Sequence, residues 1–173
     1  MNTTPVFGIT GWKNSGKTQL VTRLVAEFTA RGFNVSTVKH AHHNFDIDKP
    51  GADSYRHREA GAREVALVSG RRWALMHELR DENEPPLEDI LARLSPCDLI
   101  LIEGYKRETH PKIETRRLES SDRGPLAVSD PNIVAIAADH PVSDEGLPAF
   151  DLDDVGAMAD FIQTHLALQG RAA

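Results

Sequence analysis

The chain has 173 residues, 40% hydrophobic and 27% charged, with twelve glycines and ten prolines spread along it. This composition fits one globular domain with a full core and many short turns, and excludes a disordered chain. A formal net charge of −6 and a pI near 5.7 exclude a general nucleic-acid or membrane-surface binder, because both need a basic field to attract phosphate.

Any anionic ligand is therefore held locally. The one cysteine, Cys97, cannot close an internal disulfide and reads as a small buried apolar residue. With no signal peptide and no apolar run of about 18 residues, a reducing cytoplasm is the expected location.

In chain order, Thr4 to Thr10 reads as a first strand. Leu20, Val21, Leu24, Val25 and Phe28 then recur at helical spacing, and Gly32 stands where a left-handed cap ends that helix. Phe33 to Val38 resumes as a strand, followed by a loop rich in His and Asp. Asp53 is placed to cap a helix that runs through Ala60 and stops at Gly61. Val65 to Val68 and "RRWALMHEL" form a hairpin about a turn at Ser69 and Gly70, with Trp73, Leu75 and His77 on one side and Ala74 and Met76 on the other. Pro85 and Pro86 introduce a helix with Leu87, Ile90, Leu91 and Leu94 inward. Leu99 to Ile102 is a continuous apolar run, as in a central parallel strand.

Ile113 to Leu118 reads as a further strand whose charges suggest an edge, and Ile133 to Ala137 as a buried one. Val155, Met158, Ala159, Ile162 and Leu166 make a closing amphipathic helix, with fraying expected from Gln169. Strands alternating with helices predict an α/β fold, a mostly parallel sheet covered by helices on both faces, with the hairpin as an extension. In such folds ligands bind beyond the carboxyl ends of the strands.

One of those ends carries "GWKNSGKT", residues 11 to 18, which matches G-x-x-x-x-G-K-[ST] between a strand and a helix. At average composition, a chance match is expected on the order of once in a hundred chains of this length, or less. Gly11 and Gly16 let the backbone curl until successive N–H groups point inward, and the helix that follows adds its positive end. A polyphosphate fits that nest. Trp12, Lys13, Asn14 and Ser15 supply the loop backbone, Lys17 reaches the β and γ phosphates, and the Thr18 hydroxyl is a hard-oxygen ligand for Mg²⁺.

A magnesium site also needs a carboxylate at the end of a neighbouring strand. "CDLILIEGYK" offers Glu103 directly after four apolar residues, acting through a metal-bound water, and Gly104 leaves room for a γ phosphate. Thr18 and Glu103 are thus the expected metal residues, and Lys17 and Glu103 the expected catalytic ones. Lys106 and Arg107 follow, as anion contacts or as a solvated basic loop.

"VKHAHHNFDIDKPGADS" is the second unusual stretch. A metal site of His40, His42 and His43 is disfavoured, because no cysteine accompanies them and adjacent His42 and His43 do not readily share one tetrahedral centre. A loop facing an anionic ligand is the better reading, with Lys39, His40 and Lys49 on phosphate. Asp46, Asp48 or Asp53 would then reach a metal-bound water. Asp48-x-x-Gly51 follows no apolar strand and reads as coincidence.

The phosphate loop, the His-rich stretch, "RRWALM" and "DLILIEGYK", in that order, resemble the MobB family of molybdopterin-guanine dinucleotide biosynthesis adaptors over nearly the whole chain. The resemblance implies a P-loop NTPase fold that binds GTP and Mg²⁺, hydrolyses GTP weakly at most, and forms a homodimer. It also implies a role in assisting MobA, the guanylyltransferase that joins GMP to molybdopterin; direct binding of molybdopterin stays open. Some proteins of that branch carry an extra lysine early in the loop. Trp12 stands there and Lys13 is displaced by one, so lysine-in-trans catalysis is not expected. No Asn-Lys-x-Asp reads guanine. Asp139, after "IVAIAA", lies where a base-reading loop belongs, as a guanine acceptor or as a plain strand-end cap.

Two function classes remain open from the residues. A GTP-binding adaptor fits the want of an obvious attacking-water glutamine or arginine finger, with Arg71 or Arg72 of the hairpin able to complete a second protomer's site. A P-loop small-molecule kinase or ligase would use the His-rich segment for its acceptor and would need a lid of arginines.

Overall fold

A computed structural model describes residues 4–41, 45–142 and 146–170. Its elements, in chain order, are β1 (Val6–Gly11), α1 (Lys17–Ala30), β2 (Val35–Lys39), α2 (Asp53–Glu59), β3 (Glu64–Val68), β4 (Trp73–His77), α3 (Leu87–Arg93), β5 (Leu99–Glu103), β6 (Lys112–Arg116), β7 (Ile133–Ala138), β8 (Ala149–Asp151) and α4 (Val155–His165). The chain divides into two compact units, Met1–His40 with Leu94–Ala173, and Ala41–Arg93.

The larger unit is a six-stranded sheet in the order β2-β5-β1-β6-β7-β8, parallel throughout. Central β5 is buried at every position, which is why Leu99 to Ile102 carries no alternation. Phe7, Ile9, Leu99, Leu101, Ile113, Ala135 and Ala137 form one sheet face. Leu20, Leu24 and Phe28 of α1 and Met158, Ala159 and Ile162 of α4 close one core against it. Both helices of this unit thus share a face, where the alternation suggests cover by helices on both.

Helix α1 ends as its sequence implies. Gly32 takes φ +85°, the Gly32 and Phe33 N–H groups donate back to Thr29 and Phe28, and the Phe28 and Phe33 rings meet edge to face at 5.7 Å. This is a Schellman cap with its apolar contact.

Loops pack over the charged positions of β6, and here the sequence reading needs correcting. Lys112–Arg116 is no edge: β6 lies between β1 and β7. Its charges are inside because the neighbouring loops bring partners. Lys112, fully buried, donates to Asp130 Oδ2 at 2.6 Å and to the Lys106 carbonyl at 3.2 Å. Glu114, also fully buried, accepts from the Leu126 and Ala127 N–H groups and from Arg116. Hydrogen-bonded partners are the condition for burying charge, and both residues meet it. One smaller expectation also changes, and one strand is new. Ala52, not Asp53, is the N-cap of α2, with Asp53 as its first helical residue. Strand β8 has no counterpart in the sequence reading.

In the second unit, β3 and β4 pair antiparallel from Glu64↔His77 to Val68↔Trp73. Val65 and Met76 are buried, while Val68, Trp73 and Leu75 are exposed on the other face, in the alternation read from the sequence. Arg58 of α2 ties this unit together, donating to both carboxylate oxygens of Asp46 and to Glu78.

Removing one partner of a buried ion pair strands the other, so Lys112→Ala should cost about 3 kcal/mol in urea denaturation at neutral pH. Burial opposes ionisation of Asp130, but hydrogen bonds from Lys112 and Asn132 prevail and hold its pKa below the ordinary value. A depressed carboxylate stabilises the fold above its unfolded pKa and stops doing so as it protonates. The gap between wild type and Lys112→Ala should therefore be full above about pH 4 and narrow below it.

Candidate functional site

Residues 11 to 18 leave β1 at its carboxyl end and enter α1. Gly11 has φ +145°, and a Cβ there would lie 2.4 Å from Ser15 Oγ, 2.5 Å from Thr115 Oγ1 and 2.6 Å from the Thr115 carbonyl. The curl is closed by a Ser15 Oγ to Thr115 Oγ1 hydrogen bond of 2.7 Å, while Thr115 donates to the Thr10 carbonyl at 3.0 Å. Register explains the contact, since Gly11 pairs with Thr115 across β1 and β6. Asn14 takes φ +65°, which Asn tolerates better than most residues.

Helix α1 starts at Lys17 behind Gly16, itself left-handed at φ +95°. Its N-cap, Gly16, has no side chain to cap it, and no acid lies in its first turn. Its first N–H groups and its dipole are thus directed at whatever the loop encloses, the arrangement that suits an anion.

Lys17 arches back over the loop and donates to the carbonyls of Gly11 at 3.1 Å and Trp12 at 2.6 Å. Burial lowers its pKa, as do the ammonium groups of Lys106 and Lys39, with Glu103 acting against them. Thr18 Oγ1 donates to Glu103 Oε1 at 2.6 Å. Lys39 Nζ is 3.2 Å from Thr18 Oγ1 and 3.1 Å from Glu103 Oε1. Sheet register again sets these positions: Glu103 pairs with Ile9 of β1 on one side and with Lys39 of β2 on the other.

A wall stands beside the loop. Trp12 Nε1 donates to the Gly124 carbonyl at 2.6 Å, and Ser120 Oγ donates to the Lys13 carbonyl at 3.0 Å. Arg117 passes over Gly16 and donates to Gln19 Oε1 at 2.5 Å. A cavity of about 30 Å³, the room of roughly one water, is lined by Trp12, Ser15, Thr115, Arg117, Arg123 and His140.

The carboxyl ends of β1, β2 and β5 thus bring the loop, Lys39 and Glu103 together. His40 packs on Tyr105, ring centroids 4.7 Å apart. Asp139, at the end of β7, accepts from the Leu118 N–H and from His140 Nδ1, and the His140 hydrogen bond holds its pKa below the ordinary value. Asp48 and Lys49 belong to the second unit, where Asp48 accepts from Ser54 Oγ and from the Lys49 N–H, and the Lys49 side chain is exposed. His42 and His43 lie outside the described residues.

A family model of molybdopterin guanine dinucleotide synthesis protein B, MobB, matches residues 6–139, a span holding both the loop and Asp139. The chain belongs to the MobB family. It is 39% identical over 160 residues to the molybdopterin-guanine dinucleotide biosynthesis adapter protein of Escherichia coli (strain K12), covering 91% of each chain. To the protein of that name from Haemophilus influenzae it is 40% identical over 169 residues, covering 95% of this chain and 91% of the other. Among solved structures it resembles Bacillus subtilis MobB with a TM-score of 0.73 at 27% identity, covering 94% of this chain and 98% of that one. A MobB homolog from Bacillus stearothermophilus aligns with a TM-score of 0.70 at 30% identity, covering 98% and 100%.

The family's fold is a P-loop nucleotide-binding fold, and the curl at residues 11–18 is braced by residues that sequence reasoning missed. Thr115, Ser120, Arg117 and Gly124 all lie at or beyond the end of β6, about a hundred positions from the loop they brace. Only the repeated register of a parallel sheet links them, and no local pattern carries that signal.

Gly11→Ala collides with backbone as well as side chains and should cost about 2–3 kcal/mol in thermal denaturation. At Gly16 the nearest atoms belong to the flexible Arg117 side chain, so Gly16→Ala should cost about 1–2 kcal/mol, from φ alone.

Proposed function

We propose that the chain binds GTP with Mg²⁺ at residues 11–18 and serves as a cytoplasmic adapter in molybdopterin guanine dinucleotide formation, assisting the guanylyltransferase MobA, with slow GTP hydrolysis at most. The observation that carries this reading is the Thr18 hydroxyl placed 2.6 Å from the Glu103 carboxylate beside an uncapped helix start. These donors fit a hard cation: both are oxygens, and an ammonium already bridges them, since Lys39 Nζ reaches each within 3.2 Å. Thr18 would hold Mg²⁺ directly and Glu103 through a water. When bound, the ion neutralises phosphate charge.

The chain's own residues do the rest. The N–H groups from Trp12 to Thr18 wrap the phosphates, with Lys17 on the outer two and Lys39 and His40 beside them. Asp139 receives the guanine edge at the end of β7. The name carried by the relatives supports the pathway assignment, and the site geometry supports the nucleotide.

Titration of GTP with Mg²⁺ into wild type, Lys17→Ala and Glu103→Gln tests the reading. Lys17→Ala should reduce affinity about a hundredfold or more, the loss of a charge-assisted contact to phosphate. Glu103→Gln should shift the Mg²⁺ dependence more than the GTP affinity. Unchanged binding in Lys17→Ala, or labelled γ phosphate appearing in a small-molecule acceptor, would overturn the proposal.

The same reading includes a homodimer, supported by the apolar hairpin face of Val68, Trp73 and Leu75. Light scattering at micromolar concentration should give about twice the 19.1 kDa chain mass, and a monomer would refute it.

A further inference from the structure

Two further ammonium groups, on Lys39 and Lys106, act on Lys17 together with one carboxylate, Glu103, in a protein of net charge −6. Lys17 is accounted for by the carbonyls of Gly11 and Trp12, and Lys39 by Thr18 and Glu103. Lys106 is placed differently. Its Nζ lies 3.8 Å from the centre of the Trp12 ring. Two lysines therefore converge on one residue of the phosphate loop, one at its carbonyl and one on its indole face.

The backbone is arranged to aim Lys106 there. Gly104 and Tyr105 take positive φ in succession, +95° and +49°. The first is open to glycine, and a Cβ would come 3.2 Å from His40 Cβ; the second is uncommon for a bulky residue. Each residue of this reversal is tied down. The Gly104 N–H donates to the Ile9 carbonyl at 3.1 Å, Tyr105 packs on His40, and the Lys106 carbonyl accepts from buried Lys112, which Asp130 holds in turn. Burial keeps the Lys106 pKa below its usual value, against the pull of Asp122 and Glu114, and Lys106 depresses Lys17. Like charges brought this close favour an anion between them.

We propose that Lys106 is a second phosphate-binding lysine, resting on the Trp12 indole and passing from it to the terminal phosphate of a bound nucleoside triphosphate. The assignment to the outer end follows from Lys17, because the lysine of this loop motif serves the β and γ phosphates and Lys106 shares its anchor residue. The inference rests on the reading of residues 11–18 as the nucleotide site.

The test uses the full chain with Trp73→Phe, which leaves Trp12 as the one tryptophan of the two in the sequence. GTP and GDP are titrated, with Mg²⁺, into this background and into its Lys106→Ala and Lys106→Arg versions. Lys106→Ala should weaken GTP about tenfold and GDP less than about twofold, and Lys106→Arg should keep most of the GTP affinity. Trp12 emission should change on GTP addition as the ammonium leaves the ring, and should stop responding in Lys106→Ala. Unchanged GTP affinity in Lys106→Ala, equal losses for GTP and GDP, or Trp12 emission blind to GTP in the background chain would each overturn this inference while leaving the nucleotide site intact. A background chain that takes up neither nucleotide overturns both.

Discussion

The Glu103 carboxylate is the point on which the site's electrostatics balance. It ends a strand that is buried throughout, accepts from the Thr18 hydroxyl, and faces Lys39 at 3.1 Å. A lone carboxylate in that position would be costly to desolvate; a hydroxyl donor and an adjacent ammonium offset that cost. Because Glu103 is level with Ile9 on one side and Lys39 on the other, the parallel register brings acid and ammonium together. The hydroxyl joins them from the first turn of α1, where the curl after β1 sets Thr18. What remains around Lys17 is a local excess of positive charge in an acidic protein, the condition the proposed anionic ligand requires.

Much of this frame is legible in the sequence, and the reasons are specific. Leu99 to Ile102 reads as a central strand because four consecutive apolar residues leave no wet side. Gly32 reads as a cap because the backbone there must turn left-handed. The motif from Gly11 to Thr18 calls for a strand before it and a helix after it, and β1 and α1 stand in those places.

The failures have physical causes too. The stretch from Ile113 to Leu118 looks like an edge because it carries charges, Glu114, Arg116 and Arg117 among them, and charge normally marks a solvated strand. The reading fails because Asp130 satisfies Lys112, and the N–H groups of Leu126 and Ala127 satisfy Glu114, from a loop more than ten residues on. Strand β8 has three residues and one large apolar side chain, Phe150, too little for a period to show.

The strand order also bears on how the chain reaches this structure. Strands β1 and β2 are made first but never touch, since β5 lies between them. During synthesis, then, neither has a ladder partner until about sixty further residues have emerged, the Ala41–Arg93 unit among them. Sheet formation must wait for β5 and close loops across large sequence separations, which is slow for a domain of this size. Until that strand arrives, Val6 to Ile9 and Val35 to Val38 are strand segments without a neighbour, the stage at which the nascent chain is most exposed to aggregation.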